Sequence, residues 1–177
     1  RIHKRSADVA GFISLAGSAR PLEDLVVDQT EYLISLDGEQ SKEEDERLAE
    51  VKRQAKKIKS PELSADAKIA ELPLGAPAKY WLDLRGYDPA REAAALNKPL
   101  LILQGERDYQ VTMQDFGMWK KSLESRADVQ FIRYPRLNHL FMSGKGKSTP
   151  SEYLTPGNVA EKVVIDAANW IKARARK

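Results

Sequence analysis

Apolar residues along this chain gather in two kinds of pattern. Short dense runs occur three times: AGFISLAG from Ala10 to Gly17, LLIL from Leu100 to Leu103, and VQFIRY from Val129 to Tyr134. The first two lack the alternation of a half-exposed strand and read as strands buried on both faces, the pattern of a parallel sheet. Elsewhere the apolar residues recur at helical spacing. Leu22, Leu25, Val26, Tyr32, Leu33 and Leu36 predict a helix over residues 21–36, closed by Asp37 and Gly38. Leu48, Val51, Ala55 and Ile58 mark one narrow stripe of a second helix that ends at Lys59. Ser41 and Glu44 fit a reciprocal capping box at its start. Ser60-Pro61 is a stop with room for a restart.

Residues 73–86 are irregular and aromatic, with Tyr80, Trp81 and Tyr87 in or beside them. Asp88-Pro89 then opens a helix to about Leu96. Thr112 caps a helix over residues 113–123. A loop rich in Gly, Ser, Lys and Pro covers residues 143–157. A last helix over residues 158–174 is expected to bury Val159, Val163, Ala167, Trp170 and Ile171 on one face.

Strand, helical excursion, strand, helix, strand, helix predicts an α/β fold with a parallel sheet of about three strands. The excursion over residues 21–98 is much longer than a crossover needs, so it reads as an inserted helical lid, leaving 1–20 and 99–177 as the sheet-bearing part. Three strands make a thin sheet with an apolar edge, which predicts a covering partner: a missing N-terminal half, or a second copy forming a dimer.

Composition narrows the class. With 42% hydrophobic and 31% charged residues over 177 positions, the chain is an ordinary globular sequence. Its longest apolar runs are too short to span a membrane. The net charge of +3 comes from 29 basic against 26 acidic residues. The basic cluster at 52–59 follows the acidic 43–46, which describes a solvated helix surface and no nucleic-acid partner. The absence of cysteine excludes thiolate metal sites and a cysteine nucleophile. Arg1-Ile-His-Lys-Arg resembles no targeting signal, so the chain reads as beginning inside a longer protein, and localisation cannot be read.

The candidate chemistry centres on two histidines. His3 lies in a charged segment and reads as solvated, whereas His139 follows the third strand in NHLFM, and Asp108 follows the second in GERDYQV. Loops after the C-terminal ends of parallel strands share one rim, where ligands bind in open α/β folds. Strand-G-x-x-D-x-x-V, here Gly105, Asp108 and Val111, followed by strand-x-x-x-N-H, here Asn138 and His139, resembles the α/β-hydrolase family around its triad acid and histidine. The order acid before histidine is also that family's, and the region 7–17 resembles the strand that follows its nucleophile helix.

The resemblance covers essentially the whole chain. It implies the C-terminal part of a doubly wound sheet with an inserted helical lid, like that of bacterial serine esterases and peptidase-like hydrolases. It implies Asp108 and His139 as catalytic residues, an ester, thioester or amide as substrate, and no cofactor or metal. The departure is that no G-x-S-x-G occurs. Ser18 lacks the second glycine and follows the wrong strand, so the 177 residues alone are expected to be inactive. Tyr80 and Trp81 are candidates either for lining an acyl pocket or for packing. Tyr109 reads as structural, and Arg20 as a surface or anchoring ion pair. Two other readings remain at this stage: an aspartate-nucleophile hydrolase of dehalogenase type, and a non-catalytic interaction module.

Overall fold

The computed structural model describes residues 9–175; His3 lies outside them. Element order is β1 (Phe12–Leu15), α1 (Leu22–Ile34), α2 (Lys42–Lys59), α3 (Ala78–Leu84), α4 (Pro89–Ala94), β2 (Leu100–Gly105), α5 (Met113–Leu123), β3 (Val129–Tyr134) and α6 (Glu161–Ala175). Two units form. One comprises the chain up to Ala19 together with everything from Pro89 onward, and the other is Arg20–Asp88. The division falls at 88/89 instead of 98/99, because α4 packs in the core of the sheet-bearing unit through Ala90 and Ala93.

In the sheet-bearing unit the strand order is β1-β2-β3, all parallel, with Phe12 opposite Leu100 and Leu100 opposite Val129. Alternate side chains of a strand point to opposite faces. On one face Leu100 and Ile102 pack with α4 and α5 through Ala93, Phe116, Trp119 and Leu123. On the other, Leu101 and Leu103 pack with Val163 and Trp170 of α6 and with Phe141. Both faces are covered, which is why β2 is an uninterrupted apolar run and buried at every position. Burying Leu101 and Leu103 completely contributes about 2 kcal/mol each. At the end of β3, the Tyr134 hydroxyl donates to Asp166 at 2.9 Å, tying α6 to the sheet. Burial, and then the Asp166 carboxylate, push the Tyr134 phenol well above its ordinary value.

The face of α6 differs from the one its sequence predicts. Val163 and Trp170 are buried, but Ile171 is about half exposed, as are Val164 and Ile165, and Val159 falls before the helix begins and is half exposed too. The apolar residues of this helix outnumber the positions that meet the sheet, so pattern alone selects too wide a stripe. The outer edges of β1 and β3 have no strand partner among the described residues, and Leu15 at the end of β1 is largely exposed.

The helical unit pairs α1 with α2 and then closes on a small core of Ile58, Leu63, Leu72, Ala78 and Trp81. Helix α2 starts on the capping box of Ser41 and Glu44, with acidic residues in its first turn and lysines in its last, in keeping with the helix dipole. Ion pairs Lys52–Glu31, Lys57–Glu71 and Lys59–Asp24 lie on its outside. Segment 73–86, irregular by sequence, contains the seven-residue helix α3 between Pro77 and Arg85. Arg85 donates to the carbonyl oxygens of Ile58 at 2.9 Å and Ser60 at 2.8 Å, which joins α3 to the end of α2.

Candidate functional site

The loop after β2 presents Asp108, and the loop after β3 presents His139. His139 Nδ1 lies 2.8 Å from Asp108 Oδ2. The carboxylate is buried, while the imidazole remains partly open to solvent at 28% of its side-chain surface. A carboxylate offers only acceptors, so Nδ1 donates a ring hydrogen to Asp108, and in the neutral imidazole the lone pair is on Nε2. Each carboxylate oxygen of Asp108 accepts two hydrogen bonds. Oδ1 accepts from the amides of Gln110 at 2.8 Å and Val111 at 3.0 Å. Oδ2 accepts from Gln104 Nε2 at 3.0 Å as well as from the imidazole. Gln104 is itself buried on β2, and its amide also donates to the Val111 carbonyl at 2.7 Å.

The His139 loop is folded by its neighbour. Asn138 is fully buried; its Oδ1 accepts from the amides of Leu140 at 3.0 Å and Met142 at 3.1 Å. Its own amide donates to the Met142 carbonyl at 3.1 Å, and Leu137 bridges Ser143 in antiparallel fashion. Residues 137–143 thus make a tight reversal with His139 at its tip. Inside it Phe141 adopts φ +56°, a left-handed conformation that costs a non-glycine residue about 1–3 kcal/mol. The ring packs edge-on against Tyr134, and the Phe141 carbonyl accepts from Ala160 at 2.9 Å, which holds the residue in place.

Gly105, where β2 ends, sits directly beneath this reversal. A β-carbon there would stand 2.8 Å from the Asn138 carbonyl oxygen and nearer still to that of Leu137. Gln104 belongs to no motif, and the N-H motif names Asn138 without giving its role as loop organiser. The signal in the sequence is an amide side chain at the end of β2 and another next to His139.

The other candidates are placed elsewhere. Ser18 donates to Asp115 at 3.4 Å, at the start of α5. Tyr109 is buried, with its ring 6.2 Å from that of Tyr153. In the helical unit, Arg20 pairs with Asp28, and Trp81 is 1% exposed within that unit's core. Tyr80 is 44% exposed and packs edge-on against Trp81 at 5.4 Å. Among the described residues no group of three or more His, Asp or Glu side chains converges as a metal site, and no helix is long and apolar enough to cross a membrane.

What the arrangement offers is an imidazole oriented by a buried carboxylate and partly open to solvent at the rim of a parallel sheet. No protein-family model matches the sequence, and no solved structure matches it. The chain is similar to Esterase EstD of Thermotoga maritima, 43% identical over 161 residues. That match takes in 91% of this chain and 37% of the esterase, so the chain spans little more than a third of its curated relative.

Proposed function

We propose that this chain supplies the acid and base of a serine-type ester hydrolase of α/β-hydrolase architecture, with the nucleophile coming from outside these 177 residues. The observation that carries the reading is the 2.8 Å contact of His139 Nδ1 with an Asp108 carboxylate whose other donors are all in place. The name of the Thermotoga relative, an esterase, supports ester hydrolysis.

In this reading Asp108 fixes the imidazole tautomer and stabilises the imidazolium that forms. His139 Nε2 takes the hydroxyl proton as the nucleophile oxygen adds to the ester carbonyl. It then returns that proton to the departing alkoxide when the carbon–oxygen bond breaks. Water repeats the cycle on the acyl-enzyme, losing its proton to Nε2 and releasing the acid. A thioester or amide would pass through the same steps with a different leaving group. The helical unit Arg20–Asp88 takes the part of the lid, with exposed Tyr80 as its candidate substrate contact and Trp81 as its packing anchor.

The test joins this chain to the part of the Thermotoga esterase that the match does not cover, and measures hydrolysis of a p-nitrophenyl ester. The chimera is expected to turn over, the 177 residues alone to be inactive, and His139→Ala or Asp108→Asn in the chimera to lower kcat by about 10⁴-fold. A folded chimera that hydrolyses the ester equally well with His139→Ala refutes the assignment.

A further inference from the structure

Glu152 lies in the short 3₁₀ turn Pro150–Leu154, remote in sequence from both strand ends. Its carboxylate nevertheless collects side chains from both exit loops. Arg107 makes a two-pronged pair with it, Nη2 on Oε1 and Nη1 on Oε2 at 3.3 Å. Asn138 Nδ2 donates to Oε2 at 2.9 Å, and Ser148 Oγ to the same oxygen at 3.2 Å. Arg107 is one residue before Asp108, and Asn138 is one residue before His139. A single anion therefore grips the residue preceding the acid and the residue preceding the base.

This is not an ordinary surface pair. The Arg107 side chain is 8% exposed, and its remaining donors reach the carbonyl oxygens of Gly146 at 2.9 Å and Lys145 at 3.3 Å. Asn138 and Ser148 are almost wholly buried. By contrast, the Arg133–Glu106 pair has its arginine 66% exposed. Two-pronged, charge-assisted contacts fix geometry as well as energy. A proton-transfer pair has to be held to within about 0.5 Å of its working geometry.

We propose that Glu152 is a positioning residue: by clamping Arg107 and Asn138 together it sets the separation of Asp108 and His139. Its kinetic consequence rests on the hydrolase reading above, but its structural consequence does not.

The experiment follows the His139 Nδ1–H proton resonance in the 177-residue chain. The sequence has only two histidines, so subtraction with His139→Ala assigns it. Glu152→Gln keeps the size and the contact to Asn138 but puts an amide against the guanidinium. With the melting transition still cooperative, the resonance is expected to broaden and exchange at least tenfold faster with water (about 1.4 kcal/mol). Arg107→Lys, which replaces the fork with a point charge, is expected to do the same and is read in its place should Glu152→Gln not fold. Arg133→Ala is expected to leave the signal as it is. In the chimera, Glu152→Gln is expected to lower kcat by about 10²-fold with KM nearly unchanged. An unaltered resonance and exchange rate in folded Glu152→Gln or Arg107→Lys overturns the proposal, whatever the activity. Loss of the resonance in a chimera that never hydrolyses ester sinks the hydrolase reading and leaves the clamp standing.

Discussion

Helices α2 and α5 begin with the same device in opposite surroundings. At α2 the Ser41 hydroxyl accepts from the Glu44 amide at 3.2 Å, and the Glu44 carboxylate accepts from the Ser41 amide at 2.8 Å, all of it in solvent. At α5 Thr112 and Asp115 repeat the exchange, with Asp115 Oδ2 accepting from the Thr112 amide at 3.2 Å. Asp115, however, is wholly buried, and its second oxygen accepts from the Ala19 amide at 3.0 Å. The cap of α2 closes a helix end and nothing more. The cap of α5 also pins the turn after β1 to the sheet's neighbour helix. A related contrast separates charged groups of the two units: in the helical one Lys52–Glu31 and Lys59–Asp24 lie on the outside, while the sheet-bearing one folds Arg107, Gln104, Asp108 and Asn138 inward.

The sharpest way to break this contrast is Asp115→Ala. It strands two amides, one of them deeply buried, at about 1–3 kcal/mol each, so urea denaturation should show a loss of about 3 kcal/mol. A loss no greater than that of Ser41→Ala, expected at about 1 kcal/mol by the same titration, would erase the distinction between the caps.

A smaller effect separates two glutamates under acid. Burial alone would raise the Glu152 carboxyl, but hydrogen bonds from Arg107 and Asn138 outweigh it and hold the group below its ordinary value near 4.5. Its contribution to stability is therefore complete above about pH 5 and is lost as the pH falls through the lowered value. The difference in urea midpoint between wild type and Glu152→Gln should shrink between about pH 6 and about pH 3, and a constant difference would contradict the linkage. Glu71 is also lowered, by its hydrogen bond with Lys57, but it lies at the surface. Glu71→Gln should be indistinguishable from wild type across that range, since exposed pairs contribute little.

Much of this was legible because it is local. The ends of α5 and β3, the Ser41–Glu44 capping box, the Thr112 cap and the buried character of β2 follow from turn residues and apolar density within a few positions. The strand exits carrying Asp108 and His139 were legible for the same reason. Glu152 was not, because its donors come from residues 107, 138 and 148, and only the folded chain brings them together. Helix α3 was hidden by Pro73, Gly75 and Gly86 around it, whose punctuation outweighs seven residues of propensity. The face of α6 was misjudged because Ile171 is as apolar as Val163, and only contact with the sheet distinguishes them.

Gly105 fixes what any transplant of this acid–base pair would have to carry with it. Where β2 stops, the main chain of one exit loop rests on the carbonyls of the other, with a hydrogen atom as the only spacer. A single added methyl would act as a wedge between the loops and lever the imidazole off its carboxylate, however well every other residue were copied. The host strand would need to end without a β-carbon.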